Sequence, residues 1–308
     1  MSFIERALEQ LKPGSAPEPT PPAPAKPLVQ KARPEVDGSA APAMPCRTDR
    51  ILQLDVNALR DAGVVGPSDE ERRIAEEFRL IKRPLLKAMF RDDAGKLANV
   101  IVITSAVPGE GKTFTSINLA LSLALERDLQ VVLVDGDVAK RDVTHLFGLD
   151  EEPGLLDAAS TASLGFEQVI LRTDVDSLYV LPAGNKHLEA TEILASERAS
   201  SLLTQLAAEP RRVVLIDSPP LLATTEAGVL ASLAGHVVVV VKASETPQSV
   251  VVSAIETIAE DTPVGLVLNQ VQSVAERSYG YYYGGYGSYG QDRSKTGTGT
   301  REQDDSRG

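Results

Sequence analysis

The stretch ANVIVITSAVPGEGKTFTSINLALSLALE (98–126) runs from a β-rich apolar segment, through a glycine-bearing loop, into a helical one. Strand, loop, Gly-Lys-Thr and helix in that order form the context in which a P-loop pattern becomes a phosphate-binding mechanism. Gly109 and Gly111 lack side chains that would block backbone N–H groups from a β-phosphate, and the helix N-terminus adds the positive end of its dipole. Lys112 is expected to neutralise the β- and γ-phosphates, and Thr113 to offer its hydroxyl to magnesium. Glu110 and Phe114 belong to the same expected ATP-binding run, and Ala106 stands where the first glycine of the usual pattern falls.

Further strands are predicted at 130–135, 177–183, 211–217, 236–242 and 264–269, with helices at about 112–127, 189–209, 224–234 and 247–260. The strand runs are apolar on both faces, as strands buried between two helical layers must be. The fold class that follows is α/β: a P-loop NTPase with a doubly wound, mostly parallel sheet and helices on both faces. QVVLVDGD ends on Asp135 and Asp137, and RRVVLIDSPP on Asp217, so three carboxylates gather at the sheet edge that carries the phosphate loop. One such carboxylate could be a helix cap or a solvated loop residue; three converging on one P-loop are poorly explained that way. Asp217 is the expected magnesium-organising carboxylate, with Asp135 and Asp137 as candidates for organising metal and for accepting a proton from an attacking hydroxyl. The sequence does not rank those two. Asn269 either reads an adenine edge with its amide or only forms a turn.

Around this core the 308-residue chain is uneven. Residues 1–12 place Phe3, Ile4, Ala7, Leu8 and Leu11 at helical spacing, a short docking segment or a frayed end. Residues 13–45 are a Pro- and Ala-rich linker. Residues 46–95 read as helical, with Ser68 and Glu71 as a capping box and Ile74, Phe78, Ile81 and Leu85 as one apolar stripe. Residues 96–275 form the P-loop domain, and 276–308 a Gly- and Ser-rich tail expected to be disordered. A formal net charge of -12 without a long basic stretch excludes a general nucleic-acid binder. With Cys46 alone no intramolecular disulfide forms, and His145, His187 and His236 are too scattered to suggest a metal site, which fits a cytoplasmic protein. Neither a signal-peptide core nor an apolar run of the roughly 20 residues of a membrane span is found, so membrane contact is expected to be peripheral or through a partner.

Six of the seven tyrosines lie in the tail: Tyr279, Tyr281, Tyr282, Tyr283, Tyr286 and Tyr289. Glycines separate them, and such spacing offers no core to pack against. Exposed hydroxyls on a flexible chain are what a phosphotransferase needs from an acceptor; the plainer alternative is a tail that interacts by aromatic stacking.

SAVPGEGKT as Walker A, VVLVDGD as the additional Walker A-prime motif, VVLIDSPP as Walker B and the tyrosine cluster together resemble the bacterial tyrosine kinases over about residues 68–290. MSFIERALEQLK and EEFRLIKRPLL make the chain similar to the exosortase-associated autokinases of exopolysaccharide loci. The resemblance implies ATP- and magnesium-dependent autophosphorylation of the tail in trans, within a homo-oligomer that forms a ring. It implies an E-x-x-R-x-x-R oligomerisation element, here Glu76, Arg79 and Lys82, with Arg83 beside the last. It also implies a separate transmembrane polysaccharide co-polymerase as activator, a tyrosine phosphatase, and recruitment to the inner face of the plasma membrane. In Walker A-prime, relatives usually follow the second Asp with L-R-R-P; this chain has V-A-K-R (138–141), leaving Lys140 or Arg141 to supply the positive charge.

Two other readings compete. A Min- or Par-type switch ATPase shares the sheet and Walker B, but carries a signature lysine where this chain has Val107. A non-catalytic ATP-binding regulator would use the Pro-rich and Tyr-rich arms as a scaffold.

Overall fold

The computed structural model describes residues 44, 46–65, 70–91, 95, 97–209 and 211–271. The chain divides into two units, Met1–Gln270 and Val271–Gly308, and the architecture below is that of the first. Strands β1 (Arg47–Leu52), β2 (Val100–Ser105), β3 (Gln130–Asp135), β4 (Leu171–Thr173), β5 (Leu178–Leu181), β6 (Arg212–Asp217), β7 (His236–Lys242) and β8 (Val264–Asn269) make one sheet. Their order is β1-β4-β5-β3-β6-β2-β7-β8, and every neighbouring pair is parallel except the antiparallel β4 and β5.

β2, β3 and β6 are buried at all six positions, the burial their continuous apolar sequence requires. Successive residues face opposite layers. Val100, Val102, Val132, Val134, Val214 and Ile216 enter one core, with α5 (Leu155–Ser160), α7 (Glu197–Ala207), α8 (Thr225–Ser232) and α9 (Gln248–Ile255). Ile101, Ile103, Val131, Leu133, Val213 and Leu215 enter the other, with α1 (Val56–Asp61), α2 (Glu71–Met89) and α3 (Lys112–Ala124). Two short helices, α4 (Asp142–Leu146) and α6 (Ala190–Leu194), follow β3 and β5. The sheet is therefore doubly wound, as expected.

Residues 46–95 depart from the helical expectation, because β1 occupies 47–52 and lies parallel to β4 at the sheet margin. RTDRIL carries just two apolar residues, of which Leu52 is buried and Ile51 is 53% exposed. An edge strand with one solvated side lacks the apolar signal of its interior neighbours. The single helix expected over 189–209 is two, α6 and α7, interrupted where the Ser196 hydroxyl accepts from Ala199 N and starts the second. α2 begins at Glu71; Ser68 of the expected capping box, the segment 1–12, the linker 13–43 and the tail tyrosines lie outside the described residues.

Candidate active site

β2 ends at Ser105, the loop 106–111 follows, and α3 opens at Lys112, so the sequence motif folds as strand, loop and helix. Gly109 and Gly111 adopt φ values of +84° and +92°, which L side chains rarely tolerate. At Gly111 a Cβ would also lie 2.0 Å from Asn269 Nδ2. Asn269, at the end of β8, donates from that nitrogen to the Glu110 carbonyl at 2.8 Å, so it braces the loop from the strand beyond β7. The Glu110 side chain turns inward and is 1% exposed. Its carboxylate accepts from Val107 N at 2.8 Å, Lys242 N at 3.1 Å and Thr246 Oγ1 at 2.6 Å. Glu110 thus shapes the loop from beneath. Phe114 also faces away from the loop, its ring 6.0 Å from that of Phe78 on α2.

Asp135 and Asp217 stand opposite each other at the ends of adjacent parallel strands. Both are fully buried, and Asp137 is 3% exposed. Asp217 accepts from Thr113 Oγ1 and from Ser116 Oγ, each at 2.8 Å, which ties it to the first turn of α3. Burial pushes its pKa up to about 7; the nearby Asp135 adds to the rise, and the two hydroxyls and the Lys112 ammonium oppose it. Asp135 accepts on Oδ2 from Thr144 N at 2.8 Å and Thr144 Oγ1 at 2.7 Å. Its pKa is raised by burial to about 6, against those two bonds and with help from Asp137 and Asp142. Asp137 accepts from Lys140 N at 3.2 Å, and burial raises it too, with Lys112 among the groups pulling it down. Lys112, itself 6% exposed, therefore acts electrostatically on both Asp137 and Asp217.

Among the described residues no group of three or more His, Cys, Asp or Glu side chains could hold a metal ion. Magnesium takes oxygen donors, few of them from protein, and completes its shell with water and phosphate. The donors beside the P-loop fit that demand: the Thr113 hydroxyl, Asp217, and Asp135, whose Oδ1 is buried without a hydrogen-bond partner. The arrangement can bind a nucleotide polyphosphate with its cation and has a carboxylate to spare for proton transfer.

Ser116 and Thr144 belong to the site without having been expected there. Ser116 could have been found, since it lies three residues after Thr113 and so on the same helix face. Nothing in the sequence marks Thr144, which reaches Asp135 through the turn after β3. On α2, Glu76 pairs with Arg79 at the exposed surface. Lys82 does not share that surface. It is 5% exposed, donates to the Ser122 carbonyl at 2.6 Å and pairs with Glu126 at 2.7 Å, which fastens α2 to α3, whereas Arg83 is exposed.

A protein-family profile described as an AAA domain matches residues 98–262. EpsB of Ralstonia nicotianae is 34% identical over 215 residues, which make up 70% of this chain and 28% of EpsB, so the chain spans well under half of that relative's length. The tyrosine-protein kinase CpsD of Streptococcus agalactiae is 31% identical over 203 residues, covering 64% of this chain and 84% of CpsD. The solved tyrosine kinase domain of BceF superposes with a TM-score of 0.56 at 28% identity, over 69% of this chain and 86% of that one.

Proposed function

Because the chain belongs to the bacterial tyrosine kinases, built on an AAA-domain core, we propose that it is an ATP-dependent protein-tyrosine autokinase whose acceptors are Tyr279, Tyr281, Tyr282, Tyr283, Tyr286 and Tyr289. The observation that carries this reading is the side-by-side burial of Asp135 and Asp217 with Thr113 bonded to the latter, at the edge where the P-loop opens. The loop amides and the α3 N-terminus receive the phosphates, and Lys112 offsets their charge. Magnesium, held by Thr113, Asp217 and Asp135, would withdraw electron density from the phosphate oxygens. Asp137, the outermost of the three carboxylates and with its pKa raised by burial, accepts the phenol proton as the tyrosine oxygen attacks. Asn269 has its amide oxygen left to accept from the adenine edge.

The exposed pair Glu76 and Arg79 on α2, with Arg83 beside them, supports a homo-oligomer in which one copy's tail reaches another's site. Each phosphate adds roughly -1.5 to -2 charge, so a modified tail repels its neighbours and loosens the assembly. A separate transmembrane partner would bring the chain to the membrane and link it to exopolysaccharide export, and a tyrosine phosphatase would reset the tail. No helix of the described residues is long and apolar enough to cross a membrane.

The test is incubation of the purified chain with magnesium and ATP, with and without the cytoplasmic segment of a co-polymerase, and mapping of phosphate by mass. Phosphate on residues 279–289 that vanishes in Lys112→Met is expected. ATP hydrolysis with unmodified tyrosines under both conditions would leave a switch ATPase as the better account.

A further inference from the structure

Thr144 is fully buried in α4, and its hydroxyl has a fixed hydrogen-bond direction. Ala183 N lies 3.0 Å from Thr144 Oγ1 and can only donate, so the hydroxyl accepts there. Its single proton is then committed to Asp135 Oδ2, at 2.7 Å. The Thr144 amide, one of the α4 N-terminal donors without a partner inside the helix, adds a second bond to the same oxygen at 2.8 Å. One residue therefore occupies Oδ2 twice, while Oδ1 is buried with no partner. The carboxylate cannot rotate without breaking both bonds, so Oδ1 is the oxygen left to take a ligand.

We propose that Thr144 is a positioning residue for the phosphoryl transfer: by holding Oδ2 of Asp135 it presents Oδ1 to the cation that accompanies ATP. This rests on the reading of Asp135 as a cation-holding carboxylate. The same hydroxyl joins the end of β3 to the segment after β5 through Ala183, so the carboxylate's orientation is referenced to two parts of the sheet edge.

The amide bond survives replacement of the Thr144 side chain by Val, Ser or Cys, whereas the hydroxyl bond is lost with Val, and this separates positioning from simple capping of α4. In the full-length chain, Thr144→Val keeps the shape and removes the hydroxyl, and Thr144→Ser keeps the hydroxyl. Magnesium is titrated into each protein with a fluorescent ATP analogue, and tail phosphorylation and melting temperature are measured alongside. Thr144→Val is expected to need about 10- to 100-fold more magnesium for half-saturation, with the KM for ATP little changed at saturating magnesium. Thr144→Ser is expected to recover most of the loss. In an Asp135→Asn background, Thr144→Val is expected to add nothing further. Thr144→Cys, close in volume and a weak donor, gives the same reading if the valine variant does not fold. A Thr144→Val protein with normal magnesium dependence beside a defective Asp135→Asn, or a serine variant as impaired as valine, overturns the inference alone. An Asp135→Asn protein with normal magnesium dependence overturns the reading of Asp135 itself.

Discussion

Asp217 carries an unusual protonation balance for a carboxylate. In an unfolded chain it titrates near 3.9, roughly, whereas in the fold burial lifts it to about 7. The folded state therefore binds its proton more tightly, and the stability this gives is complete below the unfolded pKa and lost as pH rises through the folded one. Asp135, at about 6, acts with the same sign. His236 opposes them, since burial lowers its pKa and protonation below the usual histidine range is resisted by the fold. The nucleotide-free protein is expected to melt at higher temperature as pH falls from about 8 to about 5, and Asp217→Asn, neutral throughout, to flatten that rise. An unchanged slope in the variant, followed by circular dichroism, would show that Asp217 is ionised in the fold. Lys112, Thr113 and Asp217 were readable in advance because consecutive motif residues fix their positions in the loop and at the strand end. Glu110 was readable as part of the loop but not as its internal brace, because its partners Lys242 and Thr246 come from a strand and turn more than a hundred residues away.

At the scale of elements, α2 has two faces with different work. Phe78, Lys82 and Met89 are its buried residues, and Lys82 reaches the C-terminal part of α3 while Phe78 meets the ring that follows Thr113. Glu76 and Arg79 remain at the surface. Lys82→Met is expected to destabilise the protein by about 1 to 3 kcal/mol, as a buried carbonyl and the Glu126 carboxylate lose a charged donor. Arg79→Ala is expected to change stability by less than about 0.5 kcal/mol, because an exposed ion pair contributes little. Light scattering distinguishes them further: the proposed homo-oligomer is expected to shrink with Arg79→Ala, while Lys82→Met is expected to act through melting temperature. The apolar stripe of this helix was legible, since Phe78 recurs at helical spacing with Ile74 and Ile81. The inward turn of Lys82 was not, because a long aliphatic stem ending in an ammonium suits either face until a carbonyl appears opposite it. β4 was missed for a related reason: a three-residue strand is too short to show a period.

For the whole molecule, the sheet order puts the P-loop strand between β6 and β7, flanking the nucleotide site with Asp217 on one side and Lys242 on the other. Ligand binding there couples to global unfolding. Magnesium and ATP at 100 times the dissociation constant are expected to stabilise the fold by about 2.7 kcal/mol, and Lys112→Met to lose most of the corresponding rise in melting temperature. A full rise in the variant, by scanning calorimetry, would place the nucleotide elsewhere. The parallel core was legible in the apolar runs at 130–135, 236–242 and 264–269, whose observed bounds agree. The strand order was not, because parallel neighbours are set by crossover packing rather than by any local signal.

That order also fixes where the chain enters and leaves the sheet. β1 is one margin of the sheet and β8 the other, seven inter-strand steps apart, or roughly 34 Å at the usual spacing. A circular permutant joining residue 47 to residue 269 would need about ten extended residues merely to cross that breadth. A group attached beside β1 therefore stands across the breadth of the sheet from one attached beside β8, so the two margins can be labelled as separate addresses.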